Sequence, residues 1–214
     1  MTTIVGASAS GSTHYQFLVD AYATEIIKVL SVWSMFDDGD FPHRPHPTDS
    51  RGRSVHEQLV HQCVSEHLWF VNMLGISVTD SPLPADETRQ AFMAHYATCA
   101  ERRLDALRAK NDDWWMEDTQ FFEMRRSRAW VMTRRLTHTA HHRGQQTTMV
   151  RMLNRELHST YGPTADTGGL MQHHAPVIYA YKDVAELVAE ERAGRRKASL
   201  PGPGTQAPTE RPVQ

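Results

Sequence analysis

The chain has 214 residues, 40% hydrophobic and 22% charged. That composition excludes wholesale disorder and fits one domain with trimmings. The balance of 23 Lys+Arg against 25 Asp+Glu leaves a net charge of −2, so global charge draws it to neither nucleic acid nor a membrane.

Residues 1–11 are small and Gly/Ser-rich. The run from Phe17 through Leu18, Ala21, Tyr22, Ile26, Val29, Leu30 and Trp33 to Phe36 has helical spacing, with Ser12 as its N-cap. DDGDFPHRPHPTD (37–49) breaks that helix with prolines and a glycine, and its His43 and His46 read as solvated. A second helix over 54–74 starts at Ser54, with Glu57 completing a capping box, and ends at Gly75. A third covers 86–109. NDDWWMEDTQFFEM (111–124) is acidic and aromatic without a clear period, and is expected as an ordered loop. The longest helix runs from Ser127 to about 157. Residues 159–169 are turn chemistry, a short helix is expected at 182–193, and VIYAY (177–181) is the only strand candidate. The Pro-rich, aromatic-free stretch 195–214 reads as disordered.

Four long helices make an all-α bundle. The link between helices two and three, about 11 residues at ~3.3 Å each, permits a crossover joining parallel neighbours. It equally permits an antiparallel turn.

Among 13 histidines, His138 and His142 stand i, i+4 in LTHTAHHRGQ, the spacing with which two imidazoles on one helix can share a metal. With His138 at zero and ~100° per residue, Val131, His142, Met149 and Leu153 fall within ~60°, so both histidines share the apolar stripe. Gln145 falls on that face. Arg143 and Arg151 point away. Two imidazoles in a dry interior leave several polar nitrogens to satisfy, which a shared metal does at once. A third ligand must come from another helix. His56, His61 and His67 on helix two are the candidates, and periodicity alone does not select His61.

Leu59-Val60-His61 followed by Glu66 and Trp69, together with His138-Thr-Ala-His141-His142-Arg143-Gly144-Gln145, resembles the DinB-like (DinB/YfiT-like) superfamily over about residues 12–157. The resemblance implies a four-helix bundle with a crossover between helices two and three. It implies metal ligands His61, His138 and His142, with water in the remaining positions. Three imidazoles with open positions make a catalytic rather than a structural site for a divalent transition metal, Zn²⁺ or Ni²⁺ foremost. Similar proteins include S-transferases and isomerases that use low-molecular-weight thiols. The expected function is therefore metal-dependent activation of such a thiol, or of water in a hydrolase. The alternative is a non-catalytic metal- or ligand-binding bundle.

Gln145 is the expected polar contact to the bound group. Glu57 reads as a cap before a base. Eight arginines between Arg125 and Arg155 read as a solvated face paired with the acidic 111–118 loop. Residues 158–194 form an extension beyond the family core that could close the bundle's mouth or make a subunit contact, with a homodimer as the expected assembly. Cys63 and Cys99 are too few for a disulfide framework and read as core residues. MTTIVGASASGS lacks a signal-peptide pattern, and no apolar run reaches a membrane span, so a cytoplasmic protein is expected, with a small-molecule partner and neither nucleic acid nor membrane.

Overall fold

The computed structural model describes residues 13–194, 197–207 and 209. Helix α1 spans Gln16–Trp33 and follows Tyr15 without a side-chain cap; the expected cap Ser12 lies outside the described residues. Beyond Trp33 the chain tightens into three-residue turns, with Met35 N–H on Val32 O and Phe36 N–H on Trp33 O. The apolar pattern therefore outlasts the helix. Helix α2 spans Val55–Asn72 and opens on the expected box: the Ser54 hydroxyl accepts from Glu57 N–H, and the Glu57 carboxylate accepts from Ser54 N–H. Gly75, at φ +67°, turns the chain out of it. Helix α3 spans Arg89–Arg108 behind a Thr88 cap.

The segment expected as a loop is regular. Asn111 caps a short helix α4 (Asp112–Met116), and strands β1 (Asp118–Phe121) and β2 (Met124–Ser127) form an antiparallel hairpin. Its sequences, DTQF and MRRS, carry no β-branched alternation, so they give no strand signal. Anchoring replaces it: Phe121 packs edge-on against Trp69 and Trp130. Conversely, 177–181 forms no strand. Its Ile178 makes paired bonds with Ser159 alone, too little for a ladder. Helix α5 spans Arg128–Met152 under a Ser127 cap and stops short of 157, where Asn154 turns left-handed at φ +54°. Helix α6 spans Val184–Arg192.

Cross-helix contacts fix the directions. His56 meets Phe92 and Glu66 meets Arg103, so α2 and α3 run parallel. The link 73–88 is therefore a crossover. Gln58 meets Gln145 and Ser65 meets Arg135, so α2 and α5 run antiparallel. Helix α1 packs on α3 and α5 and closes the bundle. The core between them is continuous, from Leu18 and Trp33 through Leu59, Phe70, Phe92 and Leu107 to Val131 and Val150. No described helix is long and apolar enough to cross a membrane.

The extension does not lie over the α2–α5 seam. Helix α6 buries Leu187 and packs on α3 and α1, and Tyr161 lies over Lys28 and Arg143 on the α1 side of α5. Residues 197–207, read from composition as disordered, hold to the domain. Ala198 O accepts from His158 Nε2 at 2.7 Å, and Gly202 N–H donates to Asp166 O at 3.0 Å. These are mostly backbone bonds, invisible to composition.

Candidate metal centre

The antiparallel seam between α2 and α5 brings together histidines far apart in sequence. His61 comes from the middle of α2. His138 and His142 come from successive turns of α5, as their i, i+4 spacing requires. One nitrogen from each ring lies within 4.8 Å of the other two. His142 Nε2 and His138 Nε2 are 3.1 Å apart. Two nitrogens on one tetrahedral metal, each ~2.0–2.1 Å from it, stand about 3.3 Å apart, so the pair is already at ligand spacing. The rings meet edge-to-face, with centroids of His61 4.5 Å from His142 and 5.5 Å from His138.

The neighbours fix how these rings can act. Gln58 Oε1 lies 3.0 Å from His142 Nδ1, and Gln145 Oε1 lies 3.2 Å from it. An amide oxygen only accepts, so Nδ1 carries the proton and Nε2 presents its lone pair to the cluster. Gln58 Nε2 donates to Gln145 Oε1 at 2.9 Å, and Gln145 Nε2 meets His141 Nε2 at 3.0 Å, which locks both amides in that sense. Trp69 stacks on His138 at 5.8 Å and 12°. His138 Nδ1 is buried without a partner.

The cluster resists protonation. Burial, then the nearby Arg135 and the other histidines, pushes His138 down to about 4. Burial, then His138, His61 and His141, pushes His142 down to about 3. His61 is lowered by burial and by the charges of Arg53 and Arg135. No carboxylate is in hydrogen-bond contact with these three rings among the described residues. Three imidazoles that resist protonation, with ring nitrogens converging and no counter-charge in contact, fit a divalent cation.

The other expected residues sort plainly. His56 lies against Phe41 and Phe92 and pairs with Glu87. His67 stands outside the cluster, as do His43, His46, His173 and His174. Glu57 serves the cap and pairs with Arg44. Cys63 and Cys99 are buried free thiols, both pushed up by burial. Gln145 reaches His142 but shares that place with Gln58, which the sequence reading missed. Its signal was available: Gln58 stands one turn before His61 on the same face.

The basic-face expectation needs correction. Among the described residues, only Arg128 of the eight arginines makes an ion pair with the 111–118 segment, through Glu117, and Arg125 donates to the Asp118 carbonyl. Arg135 and Arg143 are fully buried. Arg143 does face away from the histidines, but it turns into α1, where it pairs with Glu25.

A protein-family model described as the DinB family matches residues 25–169, a span that holds all three clustered histidines. The chain belongs to the DinB family. The family match runs past 157 into the extension. The crystal structure of a DinB-like protein from Bacillus cereus ATCC 10987 superposes with a TM-score of 0.60 at 14% identity, covering 68% of this chain and 97% of that one. At that identity the likeness is one of fold. No curated protein matches the chain. Within this DinB fold, Glu66 and Trp69 take different parts. Trp69 stacks on His138. Glu66 is buried away from the cluster, accepting from Tyr22 at 2.6 Å and from Tyr96 and Arg103 at 2.9 Å each.

Proposed function

We propose that this DinB-family protein is a metal-dependent enzyme in which His61, His138 and His142 hold a divalent transition metal, Zn²⁺ or Ni²⁺. Its reaction is transfer or isomerisation through a low-molecular-weight thiol, with hydrolysis through water as the other outcome of the same site. The observation that carries this reading is the convergence of three imidazoles, two of them pushed far below the usual histidine range, with one tautomer fixed by two amide oxygens. When bound, such a metal lowers the pKa of a coordinated thiol or water and so supplies the nucleophile at neutral pH.

The chain's own residues do the rest. Gln58 and Gln145 hold the His142 ring with Nε2 inward. Trp69 covers His138, and Phe121 and Phe122 wall Trp69, which keeps water from that side of the site. The free, buried cysteines support a reducing, cytoplasmic setting.

The test is activity of the zinc- and nickel-loaded protein on small electrophiles with a panel of thiols. Thiol-dependent turnover that disappears in His142→Ala supports the reading. Stoichiometric metal without turnover for any thiol or for water leaves the non-catalytic metal-binding bundle as the function.

A further inference from the structure

The α2–α5 seam has three stretches. The histidines occupy the middle. At one end Trp69, Phe121, Phe122 and Trp130 form an aromatic wall. At the other end lies a cleft of about 290 Å³ lined by Arg51, Arg53, Gln58, Gln145, Met149 and their neighbours. Gln58 and Gln145 belong to both the cleft and the hold on His142, so cleft and cluster share a wall.

The cleft has the character of an anion site. No acidic residue lines it. Arg51 is committed to Asp49, and nearby Arg44 to Glu57. Arg53 makes no hydrogen bond or ion pair among the described residues. It stands exposed at the rim of the cleft, on the same lining as Gln58 and Gln145. Six helical steps, ~9 Å at helical rise, and the extended step through Ser54 separate Arg53 from His61, and the arginine's long side chain shortens that gap. Met149 and Met152 supply an apolar side. A guanidinium with all its donors free matches a carboxylate through two parallel hydrogen bonds, and an apolar side favours a short hydrocarbon stem.

We propose that the Arg53 end of the seam is the carboxylate subsite of this active site: a substrate whose reacting atom lies at the histidines places a carboxylate, on a short stem, against Arg53. The proposal rests on the catalytic reading of the histidines, and its test separates the two. Zinc-loaded protein is titrated calorimetrically with mercaptosuccinate, with the neutral thiol 1-thioglycerol, and with succinate, which has no thiol. Mercaptosuccinate should bind at least tenfold more tightly than thioglycerol. Arg53→Gln should abolish that preference and succinate binding together, and Arg53→Lys should retain part of both. Equal binding of the two thiols, or a preference that survives Arg53→Gln, overturns the subsite. Mercaptosuccinate that binds through Arg53 no more tightly than succinate, with no binding of thioglycerol, overturns the thiol reading and leaves the subsite standing.

Discussion

Two polar clusters lie in the same bundle, and they are built oppositely. The Glu66 cluster is closed. One buried carboxylate accepts from Tyr22, Tyr96 and Arg103, so acid meets base and hydroxyls fill the remaining lone pairs. The histidine cluster is open. It gathers three groups of one kind, all bases, with no acid among them and ring nitrogens turned toward each other. A closed cluster pairs its charges within the folded chain, even with Arg103 Nε left without an acceptor, and secures packing. An open one lacks the group that would satisfy it, and that lack is the mark of a site.

The first way to break this contrast is to open the closed cluster. Glu66→Ala leaves Arg103 charged and buried without its partner, which should cost about 3–5 kcal/mol in urea unfolding. Bound metal per folded chain should not change. A loss below about 1 kcal/mol would show that the network is not the closed unit described.

The second is to fill the open cluster. Metal at a hundredfold excess over its Kd should stabilise the protein by about 2.7 kcal/mol. The pH dependence has a definite sign. Free histidines protonate near 6.5, whereas folded His138 and His142 stay neutral down to about 4 and about 3. Between those limits the unfolded chain binds more protons, so stability present above pH 6.5 is lost as pH falls through that window. All three folded ligands titrate below the free histidine value, so melting curves with and without metal should still differ at pH 6. Curves that converge at pH 6 would show that the folded imidazoles titrate normally.

The third sharpens the contrast at one residue. Gln58→Ala removes an acceptor from His142 Nδ1 and should weaken metal binding 10–100-fold while barely moving the melting temperature. An equal fall in stability and affinity would make Gln58 a packing residue. The smallest effect concerns neither cluster. A chain ending at Gly194 loses the bonds of Ala198 and Gly202 and should lose about 1–2 kcal/mol, with metal content unchanged. An unchanged melting temperature would mean that those bonds contribute nothing net.

What the sequence disclosed follows from range. The caps at Ser54 and Ser127 and the pairing of His138 with His142 are local, set within four residues, and they stand in the structure. The direction of α3 relative to α2 was open to spacing alone, because a link of that length serves either direction. The hairpin at 118–127 was illegible because Trp69, from another helix, anchors it. Arg135 and Arg143 looked like surface residues because charge pattern does not show which arginine finds a buried partner. The choice of His61 came from likeness, since the apolar arc of α2 placed His56 and His67 nearer its centre. The seam with α5 decides that position, and it exists only once the chain has folded.

The central claim is that His61, not a neighbouring histidine of α2, completes the cluster with His138 and His142. Metal is counted in protein purified without a nickel column, as wild type, His61→Ala and His67→Ala, each checked for folding by circular dichroism. The account predicts about one divalent metal per chain in wild type and in His67→Ala, and none in folded His61→Ala. A folded His61→Ala that keeps its metal, or a His67→Ala that loses it, would contradict the account.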